Sequence, residues 1–211
     1  MINIILTLVV IASLWSIWGF FGSRVERTDY SVVKRMKGYE IREYPAHIVA
    51  QTKVQGQHGR SMSSGFRIVA GYIFGGNTKK ERIAMTAPVV AQKGEGSNVL
   101  ESIAMTAPVV ATTEGNSQLI SFGMPRSYTL ETLPIPNDSR VKIVMVPAKK
   151  YGVMRFSWYR SDVRIKRLQQ KLILALTRDG LTSIGSASYA GYNAPWTPPW
   201  MTRNEVLVEL K

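Results

Sequence analysis

The sequence predicts an α+β domain in which a largely antiparallel sheet carries helices on one side, built from two copies of a strand–strand–helix–strand unit. Three observations predict it. A Pro-Ala pair joins two strand-like runs at Pro45-Ala46, and again at Pro147-Ala148. After each corner an amphipathic helical pattern follows. After each helix the pattern returns to short apolar runs suited to strands.

Taken in order, the chain opens with Ile2 to Phe21, which carry no charged side chain. Twenty residues of helix rise about 30 Å, the thickness of a bilayer's hydrocarbon core. Trp15, Trp18, Phe20 and Phe21 crowd its carboxyl end, where aromatic rings favour the membrane interface. A basic start and a small-x-small cleavage site, the marks of a signal peptide, are not convincing here. Residues 1–22 therefore read as a transmembrane anchor that contacts lipid through residues 2–21, making this a single-pass membrane protein. Arg24, Arg27, Lys34 and Arg35 follow the segment and no basic residue precedes it, which favours a cytoplasmic over a periplasmic domain. Residues 23–37 read as a polar linker and 38–211 as the domain proper.

In the first unit, strand-like runs span Tyr39 to Tyr44 and His47 to Val54. A helix from Arg60 to Ile73 places Met62, Phe66, Val69, Ala70 and Ile73 on one face, and Gly75-Gly76 stop it. Glu81 to Ala91 then recurs almost unchanged as Glu101 to Ala111. Two copies are too few for a solenoid, which needs about three stacked units to bury a core. The alternation of Ile, Met and Val with Ala and Thr suits strands, and each proline belongs at a strand edge or bulge. Leu119 to Met124 completes the unit.

The second unit repeats the order. Runs at Val141 to Val146 and Lys149 to Phe156 precede a helix from Ser161 to Arg178 with an Ile165, Leu168, Leu172, Ala175, Leu176 stripe. Ser161 or Asp162 is its N-cap and Gly180 follows its end. Strands at Ser186 to Tyr192 and Glu205 to Leu210 follow. Two such halves related by a pseudo-twofold would leave a cleft between them, a natural ligand site.

Composition narrows the chemistry. With no cysteine, the chain has no disulfide, thiolate nucleophile or iron–sulfur ligand. Its +13 formal charge favours anionic partners, but the basic residues are dispersed, so a bias toward anionic membranes is preferred to nucleic-acid binding. No Gly-x-Ser-x-Gly elbow or P-loop is present, and the usual nucleophile–base pairs are scarce, so an enzyme is not favoured. His47 and His58 could each ligate an iron through a neutral imidazole nitrogen. The tail Gly191 to Trp200, stiff with proline and aromatic rings, could lie over a flat apolar ligand or plug the open end of the sheet.

These stretches together resemble the SOUL haem-binding family. The matching pieces are Tyr39-Glu40-Ile41-Arg42-Glu43-Tyr44-Pro45, Tyr72-Ile73-Phe74-Gly75-Gly76-Asn77, and both Ile-Ala-Met-Thr-Ala-Pro-Val segments. They continue through Phe122-Gly123-Met124-Pro125, Tyr128 to Pro134, Arg155-Phe156-Ser157, and Pro195-Trp196 leading to Arg203-Asn204-Glu205-Val206. Departures occur at Trp158, where a glycine is common, and at Asn193-Ala194, where Asp-Pro is usual. The resemblance implies a distorted antiparallel β-barrel flanked by two helices, with haem or another tetrapyrrole held non-covalently in an apolar cleft. It also implies that an amino-terminal membrane segment is common among bacterial members. Apolar faces place Phe66, Val69, Ile73, Met85 and Met105 around the macrocycle, with Lys or Arg meeting its propionates and His47 as candidate iron ligand. The alternative is a small-molecule sensor or effector-binding domain for another ligand class.

Overall fold

The computed structural model describes residues 7, 10, 15, 16, 26–56, 58–79, 100–194 and 196–211. Apart from the helical Thr7, Val10, Trp15 and Ser16, the expected anchor lies outside the described residues, as does the first Met-Thr-Ala-Pro copy with Met85. Among the described residues no helix is long and apolar enough to cross a membrane.

The strands are β1 (Glu26–Arg27), β2 (Ser31–Met36), β3 (Tyr39–Tyr44), β4 (His47–Gln55), β5 (Asn77–Thr78), β6 (Thr106–Ala107), β7 (Val109–Glu114), β8 (Ser117–Gly123), β9 (Ile135–Pro136), β10 (Lys142–Val146), β11 (Lys149–Phe156), β12 (Ser183–Gly191) and β13 (Asn204–Leu210). Helix α1 is His58–Ile73 and α2 is Asp162–Arg178. Both helices end as their glycines dictate. Gly180, at φ +75°, lets Leu181 N–H reach the Leu176 carbonyl at 2.9 Å, and Gly75, at φ +105°, lets Gly76 N–H reach Gly71 at 2.7 Å. At its start α2 is capped by Ser161, whose side chain accepts from Arg164 N–H at 3.3 Å.

Nine strands form one antiparallel sheet in the order β10-β4-β8-β7-β12-β13-β11-β3-β2. Without β2 this order reads the same from both ends once each strand is exchanged for its counterpart in the other unit. The doubled unit is therefore real, but the units are interleaved. The first strand of each pairs with the second strand of the other: β3 with β11, and β10 with β4. The Pro-Ala corners are bends rather than hairpins. A two-residue hairpin needs a left-handed residue, and neither corner has one. Tyr44 faces Lys149 and His47 faces Val146, so pairing resumes in the same register beyond the corner. The two ends of the sheet are thus tied together at the corners, yet β10 and β2 do not pair, and among the described residues no closed barrel forms. The implied barrel becomes an open, curled sheet.

Ser31–Met36, in the stretch expected to be a linker, is the edge strand β2 and pairs with β3. Its residues are nearly all exposed, so no apolar alternation marks it. The second Met-Thr-Ala-Pro copy does form strands, with Pro108 interrupting them between β6 and β7.

Both helices lie on one face of the sheet. Val69 and Ile73 of α1 join Ile48, Ala50, Ile120 and Phe122, while Ile165, Leu172 and Leu176 of α2 join Met154, Tyr189, Val206 and Val208 in the same buried core. Each such large side chain contributes about 1.5–3 kcal/mol by leaving water. Burial along β8 alternates strictly, with Gln118, Ile120 and Phe122 buried toward the helices and Ser117, Leu119 and Ser121 half-buried on the other face.

Candidate functional site: a groove on the helix-free face

The residues that alternate away from the helices line a groove of about 290 Å³. Val49 and Gln51 of β4, Val110 and Thr112 of β7, Leu119 and Ser121 of β8, Ser186 and Ser188 of β12, and Leu207 and Glu209 of β13 all face it. This is period-two chemistry: every second residue of five strands meets in one concavity. The rim at Ile184, Gly185 and Ser186 comes from a bulge between β12 and β13, with Gly185 at φ +66°. In size the groove lies just below the range of about 300–1,000 Å³ usual for small-molecule sites, so a tetrapyrrole would keep one edge in solvent.

At one wall stands His47, half-buried, with Nδ1 2.8 Å from the Pro45 carbonyl. That contact suits an Nδ1–H donor, which leaves Nε2 with a free lone pair. His47 also lines an adjoining cavity of about 410 Å³ with Met124, Tyr128 and Met145. Across the groove, Lys149 Nζ donates to Glu209 Oε2 at 2.8 Å. Tyr44 and Tyr151 add aromatic wall, packed edge to face at 5.5 Å.

Beyond Tyr44 the same face carries a buried ionic cluster. Glu205, 0% exposed, accepts from Arg42 Nη1 at 3.0 Å on each oxygen, from Arg203 at 2.8 and 2.9 Å, and from the Tyr192 hydroxyl at 2.7 Å. Arg42 also donates to Glu40 at 2.8 Å. Burial opposes the charge on Arg42, but the adjacent Glu205 carboxylate, with the hydrogen bonds around it, more than offsets this and raises its pKa further. Burial, then Glu205, pushes the Tyr192 hydroxyl well above its ordinary value. Residues 28–30 strap this end: Thr28 N–H donates to Ala107 at 2.9 Å, and Tyr30 lies under Arg42 at 4.2 Å and beside Tyr44 at 5.4 Å. The Tyr44 hydroxyl is buried beside Arg42 and Tyr192 without a hydrogen bond of acceptable geometry to either.

Of the described side chains expected around a ligand, only His47 lines the groove. Val69 and Ile73 are sealed in the helix–sheet core, and Phe66 packs on Phe122 at 5.2 Å on that same side. Met105 is half-buried ahead of β6, and Met85 lies outside the described residues. His58 begins α1. The groove walls were not marked in the sequence: the alternation of β8 separates two faces but does not say which one meets the helices.

For a metalloporphyrin the donor set is adequate. Among the described residues no group of three His, Asp or Glu side chains could hold a bare ion. An iron already bound by four ring nitrogens needs only one protein ligand, and His47 stands at the groove wall. The apolar Val49, Val110, Leu119 and Leu207 suit a flat ring.

Fold and groove together define an α+β domain with an open groove on the helix-free face of a two-fold sheet. The sequence profile of the SOUL heme-binding protein family matches residues 25–98 and 94–209, and the chain belongs to that family. No curated protein sequence matches it. Among solved structures it is similar to the EcmrR C-terminal domain, at 11% identity and TM-score 0.56, covering 86% of this chain and 98% of that one. It is also similar to a hydrolase from Listeria innocua, at 10% identity and TM-score 0.55, covering 85% and 94%. At such identities the likeness is one of fold.

Proposed function

We propose that this protein binds haem or a related tetrapyrrole non-covalently in the groove, with residues 2–21 anchoring it to the membrane and the domain on the cytoplasmic side. The observation that carries the reading is the groove itself, with apolar walls from five strands and one histidine whose Nδ1 is already engaged. Membership of the SOUL family supports the ligand class. Bound iron would supply the chromophore and a Lewis-acidic centre. The chain's part is to place the His47 imidazole, cover the ring with Val49, Val110, Leu119 and Leu207, and offer Lys149 to a propionate in competition with Glu209. The anchor rests on the uncharged run Ile2 to Phe21, and the orientation on the basic flank that follows it.

Titrating the detergent-solubilised full chain with haemin tests the reading. A saturable Soret shift at micromolar haemin is expected, and none would sink it. His47→Ala should lower the affinity and change the Soret position, while an unchanged spectrum would clear His47 of the ligand role.

A second reading, binding of another planar small molecule by a sensor domain, draws on the pairing of Lys149 with Glu209, which presents both signs of charge in the groove. Tighter binding of a planar cation than of haemin would favour it.

A further inference from the structure

Trp196 and Trp200 of the Gly191 to Trp200 tail do not lie over the groove. Trp158, Tyr159, Trp196 and Trp200 are 52%, 73%, 53% and 43% exposed, and none lines the groove. Exposed aromatic side chains grouped in this way mark an interaction surface. Their positions are built rather than accidental. Trp158 N–H donates to the Pro199 carbonyl at 3.0 Å and to Thr202 Oγ1 at 3.1 Å, locking the two loops together. Its backbone sits at φ +72°, a conformation that suits glycine, so a bulky exposed indole is held there against local preference. The rings of Trp158 and Trp200 are 6.4 Å apart.

The amino-terminal run meets this surface. Trp15, from the uncharged amino-terminal run, packs edge to face on Trp200 at 5.5 Å and donates its Nε1–H to the Trp196 carbonyl at 2.9 Å. Trp15, within the run expected to enter the bilayer, therefore lies against the exposed cluster. Tryptophan and tyrosine are the side chains that settle at the headgroup level. Arg160 is exposed within the same loop, and the chain carries +13, as contact with anionic headgroups requires.

We propose that Trp158, Tyr159, Trp196 and Trp200 form a membrane-docking surface that seats the domain on anionic lipid headgroups beside its anchor. This rests on the anchor proposed above. The test is full-length single-tryptophan variants, the other four tryptophans replaced by Phe, reconstituted in phosphatidylglycerol-containing vesicles with brominated acyl chains. Trp158 and Trp200 should be quenched several-fold more than in unbrominated vesicles and shielded from aqueous iodide. Full iodide access without bromolipid quenching overturns the proposal, and so does iodide shielding without bromolipid quenching, which would mean a protein cover. The variant keeping Trp18 reports the anchor separately: an unquenched Trp18 refutes the anchor, while Trp158 still decides the docking. If multiple substitution prevents folding, fluorotryptophan incorporated in the unsubstituted chain gives the same answer through line broadening by a lipid-borne spin label.

Discussion

Replacing Glu205 by Gln should be among the most damaging isosteric changes available to this fold. The carboxylate is 0% exposed and takes five hydrogen bonds, two from Arg42, two from Arg203 and one from Tyr192. An amide keeps the shape but loses the charge and one acceptor oxygen. Two guanidiniums, one of them 3% exposed, would then face each other with only Glu40 as counter-charge. Leaving a buried charge without its partner costs about 3–5 kcal/mol. For a chain of this size each kcal/mol lowers the melting temperature by about 2–4 °C, so the drop should be roughly 6–20 °C. Thermal unfolding of the full chain in detergent, followed by circular dichroism, measures the drop, and urea unfolding measures the free-energy loss. Glu205→Leu combined with Arg42→Met should be less destabilising than Glu205→Leu alone, because the apolar pair strands one charge fewer. A loss below about 1 kcal/mol, the level of an exposed pair, would show that water reaches the cluster and refute the reasoning.

The tyrosines predict an alkaline limit. Burial raises Tyr39, Tyr72 and Tyr151 to about 12, and Tyr128 reaches about 12 chiefly through its hydrogen bond to Glu101. A folded-state pKa above the unfolded value of about 10 contributes stability that is complete below pH 10 and lost as pH rises toward 12. Tyrosinate absorbance should therefore lag behind free tyrosine and rise together with unfolding, whereas an ordinary titration near pH 10 with the fold intact would contradict this. Gly152→Ala would put a Cβ 2.8 Å from Leu176 Cδ2, in a side chain that is fully buried, and should cost about 1–3 kcal/mol in urea unfolding. Gly71→Ala, with nothing within 4 Å, should be neutral or gain up to about 1 kcal/mol, and equal costs at both sites would remove the packing argument.

Much of the local structure was legible because its causes are local. The Ile165, Leu172, Leu176 stripe, the Ser161 cap and the Gly180 stop place α2 almost to the residue, and the two Pro-Ala corners mark the doubling. The interleaving was not legible, since which strand pairs with which depends on contacts roughly a hundred residues apart that no local period encodes. The groove was hidden for a related reason. β4 buries Ile48, Val49 and Ala50 in succession, so both faces look apolar and alternation cannot say which one meets the helices. An apolar helix face can serve a core or a cleft equally well; Val69 and Ile73 lie in the core, whereas Phe66, on the same face, is 36% exposed and touches Phe122. Arg42 and Glu205 left a usable trace: a charge in the middle of a buried strand asks for a partner, and each has the other.

A ligand held on the helix-free face, as proposed, should respond to substitutions there and not to those beneath the helix, and a haemin titration of two variants separates the cases. Ser121→Trp fills the groove from a half-buried position, while Phe66→Ala trims the opposite face, and circular dichroism confirms that both remain folded. Ser121→Trp should lose the saturable Soret change, and Phe66→Ala should bind like the unsubstituted protein. Retained binding in Ser121→Trp together with loss in Phe66→Ala would place the ligand under the helix and contradict the proposed site.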